Sequence, residues 1–259
     1  TESHKHKRGH FGAVTGPAAA TGAARLAARA GLRIGAGLVT LLSPPSATLV
    51  NAAHETSVMV KPFATDDDLA GLAETCDCAL IGPGAGVTDA TRDNTLTLLK
   101  KSKSCVLDAD ALTVFSDNPD TLFTAISGPV VMTPHEGEFK RIFPDLLQGQ
   151  EREQAVRLAA RRSGSVIILK GAETLIAAPD RRIVLNDHAS PFLATAGSGD
   201  VLAGMVGGLM AQGMEAFDAA CAACWSHGEL GLQLGPGLIS EDLPDALPAL
   251  LARFYDARA

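Results

Sequence analysis

Short apolar runs alternate along the chain with segments whose apolar residues recur at helical spacing. The runs are rich in Val, Ile and Leu, and most of them end at Gly, Pro or Asp, which is typical of buried strands followed by a turn. We predict strands at 11–15, 38–42, 57–60, 79–81, 105–107, 130–132, 166–169, 174–177 and 183–185.

The segments between these strands carry the helical pattern and contain little proline. Strands that alternate with helices are typical of a parallel sheet covered on both faces. The three consecutive runs between 166 and 185 indicate an antiparallel portion at one side of the sheet. We therefore predict an α/β fold of three layers, α-β-α, with a mostly parallel central sheet. Its predicted helices lie at 21–34, 46–54, 66–74, 88–101 and 151–162, and three more begin near Ser198, Glu215 and Glu241.

Composition narrows the class of protein. The 259 residues show no composition break and no internal repeat, so we predict a single domain over residues 1–259. A net charge of −7 argues against binding to nucleic acid or to an anionic membrane, and no apolar run reaches the length of a membrane span. The polar start, 1–10, lacks the apolar region of a signal peptide. Five irregularly spaced cysteines are typical of reduced thiols, which favours the cytoplasm.

A run of small residues, Ala-Thr-Ala-Gly-Ser-Gly-Asp at 194–200, precedes the helix near Ser198. Gly197 and Gly199 permit positive φ and a close approach of the backbone to a ligand. Free amides at a helix N-terminus attract anions, so we predict a phosphate site there. Asp200 would be repelled by phosphate unless it had a role, and the role we predict is proton abstraction. The alternative is that Asp200 only caps the helix and that the glycines form a tight turn.

Two other clusters invite a functional interpretation. Asp108 and Asp110 follow a predicted strand, where ligand sites of α/β folds gather. Asp108 is the better candidate, because Asp110 is suited to capping the next helix. Cys221, Cys224 and His227 have the spacing of one helix face, but zinc usually needs four ligands and no partner pair is evident. We therefore favour plain thiols over a metal or redox site.

The signature at 194–204 resembles that of the ribokinase-like superfamily, and most of all that of its ADP- or ATP-dependent NAD(P)H-hydrate dehydratases. Other segments resemble the same family in the same order, and together they cover nearly the whole chain. They lie at 6–10, 21–30, 35–40, 81–86, 107–112, 133–139 and 169–174.

This resemblance implies a ribokinase-like fold and a repair reaction. The family removes water from the S epimer of hydrated NADH or NADPH, with ADP or ATP as co-substrate. Phosphorylation converts the ring hydroxyl into a better leaving group, and elimination then restores the ring double bond. Asp200 is implied to take the hydroxyl proton, while the amides at 197–199 stabilise the phosphoryl group.

The resemblance also assigns binding residues. The nucleotide site comprises Lys170, Gly171, Ala172, Glu173 and Thr174, together with Leu193, Ala194, Thr195, Ala196, Gly197, Ser198 and Gly199. Contacts with the hydrate are assigned to Gly22, Ala23, Gly84, Gly86, His135 and Asp200.

Mg²⁺ is the cofactor that the resemblance implies. Glu138 occupies the position of an acid that orients hydrated Mg²⁺ in many relatives, and Asp108 is the second acid assigned to the metal. Each candidate has a structural alternative. Glu138 could be a solvated acid in a first helical turn, His135 a buried loop histidine, and Lys170 a lysine whose stem packs at a strand end while its ammonium reaches solvent.

Two stretches depart from the family pattern. Residues 15–20 replace a more glycine-rich loop, and 188–193 replace a Gly-Asn-Pro-Gly form. The family implies an epimerase domain or protein as partner, and an alanine-rich helical surface leads us to expect a homo-oligomer. The alternatives are a small-molecule hydroxyl kinase of the same superfamily and a catalytically silent nucleotide-binding module. His135 favours the dehydratase over the kinase, which more often has Asn there, and an intact Asp200 argues against the silent module.

Overall fold

The computed structural model describes residues 8–149 and 151–256, so His6 and Lys7 of the first matching segment lie outside the described residues. Within these residues nine strands form one sheet in the order β3-β2-β1-β4-β5-β6-β7-β8-β9. All neighbours from β3 to β7 are parallel, and β8 and β9 are antiparallel to their neighbours. The strands are β1 (His10–Val14), β2 (Leu38–Ser43), β3 (Met59–Pro62), β4 (Cys78–Ile81), β5 (Cys105–Leu107), β6 (Val130–Met132), β7 (Val166–Leu169), β8 (Thr174–Ala177) and β9 (Ile183–Asn186).

Helices cover both faces of this sheet. They are α1 (Gly22–Arg33), α2 (Pro45–His54), α3 (Asp66–Glu74), α4 (Asp89–Lys101), α5 (Asp110–Thr113), α6 (Pro119–Ala125), α7 (Glu136–Ile142), α8 (Arg152–Ser163), α9 (Ser198–Ala211), α10 (Ala216–Leu234) and α11 (Asp242–Asp256).

The core consists of two apolar clusters, one on each face of the sheet. Successive residues of a strand point to opposite faces. In β4, Leu80 accordingly packs in the cluster under α1, α9, α10 and α11, while Ile81 packs in the cluster under α3 to α8. Strands buried on both faces explain the continuous apolar runs of the sequence. The predicted three-layer fold with a mostly parallel sheet is confirmed, as is its antiparallel side.

Close packing of α1 against α9 fixes the end of the molecule where both helices begin. Ala24, Ala27 and Ala28 of α1 are fully buried. A side chain at Gly204 of α9 would collide with the backbone carbonyl of Ala27, so only glycine permits this approach. Small residues on both helices therefore hold the first turn of α9 beside the first turn of α1.

Some predicted boundaries were wrong. The strand predicted at 57–60 lies at 59–62, where an edge strand accommodates Pro62. Thr21 precedes α1, but its side chain makes no capping hydrogen bond. No bounds were predicted for three short helices, α5 to α7, because four to seven residues are too few to show a helical period, although Asp110 and Glu138 were considered as residues at helix starts. Among the described residues, none of the helices has the length and apolarity that a membrane crossing requires.

Candidate active site

Polar side chains converge where neighbouring parallel strands end. Asp108 directly follows β5, His135 lies three residues beyond β6, and Lys170 directly follows β7. The backbone amide of Lys170 donates to the carbonyl of Pro134 at 2.9 Å, so the segments after β6 and β7 stay side by side. Asp200 approaches the same edge from the first turn of α9. The site thus lies at the carboxyl edge of the sheet, as in other α/β folds.

A buried ion pair occupies the centre of this edge. The Lys170 Nζ lies 2.9 Å from the Asp108 Oδ1, and only 2% of the Asp108 side chain is exposed. Burial disfavours the charged form of Lys170, but the carboxylates of Asp108, Glu138 and Asp200 outweigh it and raise the pKa of the lysine. Lys170 is therefore a fixed cation, and the alternative of an ammonium that merely reaches solvent is wrong.

Asp200 is held in an environment that favours a protonated carboxyl. Burial and then the charge of Asp108 raise its pKa to about 6, although Lys170 opposes the shift. The start of α9 has no side-chain capping hydrogen bond, so no such bond supports the alternative that Asp200 only caps the helix. A carboxylate with a pKa near the working pH is suited to general-base catalysis.

The glycines of the predicted phosphate loop differ in conformation. Gly197 has φ +89°, and a Cβ there would lie 2.7 Å from a methyl carbon of Leu26. Gly199 lies in the first turn of α9 without positive φ, so that part of the prediction was wrong. A Cβ at Gly199 would meet only the Lys170 Nζ, at 3.4 Å. Glycine at 197 is required by the positive φ of the backbone, whereas glycine at 199 leaves space open in front of Lys170.

This difference predicts two separable phenotypes. Gly197→Ala is expected to destabilise the fold by about 1–3 kcal/mol, because alanine is strained at positive φ. Gly199→Ala is expected to leave the free energy of unfolding within about 0.5 kcal/mol of wild type and to weaken nucleotide binding. Urea unfolding and ADP titration of both variants check this. A Gly199→Ala protein that binds ADP normally would contradict the assignment of this space to a ligand.

Two loops expected to face the hydrate pack against each other. The backbone at Gly84, with φ +66°, lies against the carbonyl of Ala20. The departing stretch at 15–20 ends in a short 3₁₀ turn, Ala18–Ala20, and so still contacts the glycine loop. After Thr21, Gly22 begins α1 with free space where a side chain would be, and Ala23 is the next residue.

Asp110 has a role that the sequence did not reveal. Its Oδ2 accepts a hydrogen bond from the amide of Gly86 at 2.8 Å and so fastens the glycine loop. We had assigned Asp110 only to the start of the next helix, where it is indeed the first residue of α5. The contact spans 24 residues, and no local pattern signals it.

A cavity of about 620 Å³ opens beside the lysine. This volume suits a small-molecule ligand. Eight of the twelve predicted nucleotide residues line it, and four do not: Glu173, Thr195, Ala196 and Gly197. The lining residues that we predicted are Lys170, Gly171, Ala172, Thr174, Leu193, Ala194, Ser198 and Gly199.

Further residues of the lining were not assigned to the site individually. They come from β9, from the segment just before the phosphate loop, from α9 and from α10, and only those of α10 are remote in sequence from the glycine signature. His135, which we assigned to the hydrate, also lines this cavity. The residues not assigned individually are Asn186, Ala189, Ser190, Pro191, Leu202, Cys224, His227 and Gly228.

His135 and Glu138 form a reciprocal cap at the start of α7. The His135 Nδ1 accepts from the amide of Glu138 at 3.2 Å, and the Glu138 Oε2 accepts from the amide of His135 at 2.8 Å. Since Nδ1 accepts, a neutral ring carries its proton on Nε2. The His135 side chain is 55% exposed and that of Glu138 only 8%, so the alternatives of a buried histidine and a solvated acid are both wrong.

The two acids assigned to Mg²⁺ fit it unequally. Asp108 is paired with the Lys170 ammonium, so a cation at the same carboxylate would be repelled, and Asp108 does not fit as a direct ligand. The Glu138 Oε1 has only a 3.5 Å contact with the His135 Nε2, which leaves it able to hold a hydrated cation. Magnesium is commonly bound through one or two carboxylates, waters and substrate phosphates. Glu138 fits that pattern.

The cysteines near the cavity show no sign of redox or metal chemistry. Burial raises the pKa of the Cys221 thiol to about 11 and that of Cys224 further. Reactive cysteines have lowered pKa values instead. In the described part of the chain, no group of three or more His, Cys, Asp or Glu residues is arranged to hold a metal ion.

Comparison with known proteins identifies the family of the chain. The family model of NAD(P)H-hydrate dehydratase matches residues 12–247. An ADP-dependent (S)-NAD(P)H-hydrate dehydratase from Neisseria meningitidis is 36% identical, and the aligned region covers 88% of this chain and 77% of the relative. A bifunctional NAD(P)H-hydrate repair enzyme from Salinibacter ruber is 35% identical and covers 99% of this chain and 51% of its own length.

A solved structure extends the comparison to the fold. The ADP/ATP-dependent NAD(P)H-hydrate dehydratase from Bacillus subtilis, crystallised with ATP/Mg²⁺, superimposes with a TM-score of 0.84 at 28% identity. The superposition covers 98% of this chain and 92% of the Bacillus subtilis chain. The chain spans about half the length of the bifunctional relatives it matches. The match over 12–247, together with the fold and the carboxyl-edge site, means that the chain belongs to the NAD(P)H-hydrate dehydratase family of the ribokinase-like fold.

Proposed function

We propose that this chain dehydrates the S epimer of hydrated NADH and NADPH with ADP or ATP as co-substrate. The products are the reduced dinucleotide, phosphate, and AMP or ADP. The observation that carries the proposal is the position of Asp200. Its carboxyl lies in the first turn of α9, near enough to Asp108 and Lys170 for their charges to act on its pKa, which is raised to about 6. Lys170 and Gly199, the residue before Asp200, line the nucleotide-sized cavity.

The first chemical step joins the two ligands across Asp200. The hydroxyl oxygen of the hydrated ring attacks the terminal phosphorus of the nucleotide, Asp200 accepts the hydroxyl proton, and the bond to the departing AMP or ADP breaks. In the second step phosphate leaves the ring carbon while the neighbouring carbon loses a proton, which restores the double bond. Removing the hydroxyl proton makes the oxygen a better nucleophile as the phosphorus–oxygen bond forms.

Two kinds of positive group can stabilise the negative charge of the transferring phosphoryl group, an ammonium and backbone amides. The Lys170 Nζ lies in front of Gly199, in the first turn of α9. The N–H groups of a first helical turn have no partner within the helix, so they are available to the same phosphoryl group. Asp108 holds the ammonium by a 2.9 Å contact. Fixed positive groups of this kind stabilise a phosphoryl-transfer transition state without reorganising.

His135 and the loop around Gly84 and Gly86 complete the proposed hydrate side. The half-exposed His135 ring presents its Nε2 proton, since Nδ1 is occupied by α7. Asp110 keeps the Gly86 amide in place. Gly22 has free space where a side chain would be, and Ala23 follows it in the first turn of α1. This side would orient the ring so that its hydroxyl faces Asp200.

Mg²⁺ is the proposed cofactor, held through water by Glu138. When bound, it would neutralise charge on the nucleotide phosphates.

Chelation of divalent cations distinguishes a catalytic role of Mg²⁺ from a structural one. Removing divalent cations is expected to stop turnover without lowering the melting temperature of the nucleotide-free protein, because the described residues contain no metal-binding cluster. Thermal unfolding with and without chelator checks this. A large fall in melting temperature would contradict it and would return attention to Cys221, Cys224 and His227.

The direct test is incubation with the S epimer of hydrated NADH and either ADP or ATP. The dehydratase restores the absorbance of NADH and releases free phosphate in equal amounts. A hydroxyl kinase of the same fold would leave a phosphorylated alcohol and no NADH. A silent module would bind nucleotide and turn nothing over, so either outcome would refute the proposal.

Partners and location follow from the same proposal. An epimerase, as a fused domain or separate protein, would supply the S epimer from the other epimer of the hydrate.

Self-association through the alanine-rich helices is also proposed, and size-exclusion chromatography with light scattering tests it. Five free thiols, four of them buried, favour a reducing compartment such as the cytoplasm.

A further inference from the structure

A buried histidine from α10 contacts the first residue of α9. The His227 Nε2 lies 3.0 Å from the hydroxyl oxygen of Ser198 and 3.0 Å from its carbonyl oxygen. His227 is 8% exposed and Ser198 4%, and both line the 620 Å³ cavity. The sequence had placed His227 only in a possible metal cluster with Cys221 and Cys224.

The two contacts decide where the protons lie. A carbonyl oxygen only accepts hydrogen bonds, so the His227 Nε2 must carry a proton. Burial lowers the pKa of His227 to about 4, so the ring is neutral at physiological pH and this proton is the one it donates. The opposite tautomer would turn the Nε2 lone pair toward the lone pairs of the Ser198 carbonyl, which is repulsive.

The hydroxyl of Ser198 must then donate elsewhere. The oxygen of this hydroxyl accepts a hydrogen bond from the His227 Nε2. Its hydrogen is therefore free to donate to another acceptor. No other partner of this hydroxyl occurs among the described residues, and the side chain lines the cavity. The next residue, Gly199, keeps the space in front of Lys170 open. An acceptor in that space would be a phosphate oxygen, because it already faces an ammonium and helix N-terminal amides.

We propose that His227 is a positioning residue, which turns the Ser198 hydroxyl so that it donates to a phosphate oxygen of the nucleotide. The inference rests on the proposed nucleotide site and adds to it a residue on α10 that does not itself react. His227 acts through Ser198, so its effect on nucleotide binding exists only while the Ser198 hydroxyl is present.

A double-mutant cycle tests that dependence. Ser198→Ala, His227→Leu and the double variant are titrated with ADP alone by calorimetry, and KM and kcat are then measured. Each single substitution is expected to weaken ADP binding about tenfold, which corresponds to the loss of one hydrogen bond to a charged group. The double variant is expected to bind no more weakly than the weaker single variant, because both remove the same contact. KM for ADP is expected to rise more than kcat falls.

Two further variants separate positioning from packing. His227→Gln keeps an N–H donor near the position of Nε2 and is expected to recover most of the ADP affinity. Ser226→Ala changes the preceding residue of α10, which lines a different groove, and is expected to bind ADP as wild type does. Melting temperatures without ADP are recorded for all variants.

Each contrary outcome is distinct. Additive losses in the double variant, or a His227→Gln protein as weak as His227→Leu, would overturn the inference and leave the nucleotide site intact. A His227→Leu protein that melts earlier but binds ADP normally would show a packing role and overturn it too. If the wild-type protein bound neither ADP nor ATP, the proposed function itself would fail.

Discussion

Asp200→Asn is expected to lower the rate of the chemical step by about 10²- to 10⁴-fold, which is the usual contribution of a general base. Asparagine keeps the shape of the side chain but cannot take up the hydroxyl proton. ADP affinity is expected to persist or rise, because a negative charge beside the phosphates is removed. Single-turnover rate and ADP titration on the same preparation measure both quantities.

The same substitution is expected to stabilise the folded protein at alkaline pH. The pKa of Asp200 is raised to about 6 in the fold, above its ordinary value near 3.8. A protonated Asp200 is therefore compatible with the fold below about pH 4, and its ionisation costs stability as pH rises through about 6. Asparagine never ionises, so we expect a gain of roughly 1–3 kcal/mol at pH 8 that disappears near pH 4. Urea unfolding at both pH values measures it.

Asp218→Asn is the matched control. Asp218 is likewise an acid in the first turn of a helix, α10, but it lies on the surface away from the cavity. Its substitution is expected to change neither the rate nor the pH dependence of stability appreciably. An Asp200→Asn protein that kept more than about a tenth of the wild-type chemical rate would remove Asp200 as the base. The proton acceptor would then have to be sought at Asp108 or His135.

The sequence predicted the centre of the sheet better than its edges. The bounds predicted for β5 to β8 agree with the structure, because these strands are buried on both faces and read as unbroken apolar runs. β3 was displaced by two residues because an exposed edge strand has no such run. No bounds were predicted for the short helices α5 to α7, since their positions depend on caps such as the one between His135 and Glu138.

The sequence indicates that the site residues share one edge of the sheet, but it does not indicate how they pair. Asp108 was singled out because it follows a strand, whereas His135 and Lys170 were assigned through the family resemblance. The structure brings the three together because parallel strands end at the same edge of the sheet. That Lys170 reaches Asp108 across the intervening β6 depends on side-chain length and sheet order, which the sequence does not reveal. The contact between His227 and Ser198 joins residues 29 positions apart on two helices. Its only local signal, the spacing of Cys and His on α10, suggested a metal cluster instead.

Lys170→Met is expected to have the second large effect, on both rate and stability. Methionine has a similar length but no charge, so the phosphoryl group loses its fixed cation and Asp108 is left buried without its partner. Removing one member of a buried pair typically costs about 3–5 kcal/mol. The pKa of Asp200, which Lys170 lowers, is expected to rise above about 6. Because the base must be ionised, the acidic limb of the rate profile should move to higher pH.

Asp108→Asn and the double variant separate these consequences. Asp108 raises the pKa of Asp200, so its neutralisation is expected to move the acidic limb to lower pH, opposite to Lys170→Met. In Lys170→Met/Asp108→Asn no buried charge remains unpaired, so most of the lost stability should return. The rate should not return with it, because the cation that meets the phosphoryl group is still missing. A double variant that regained wild-type turnover would mean that Lys170 serves only to neutralise Asp108, and the charge assigned to the transition state would have to come from the helix amides alone.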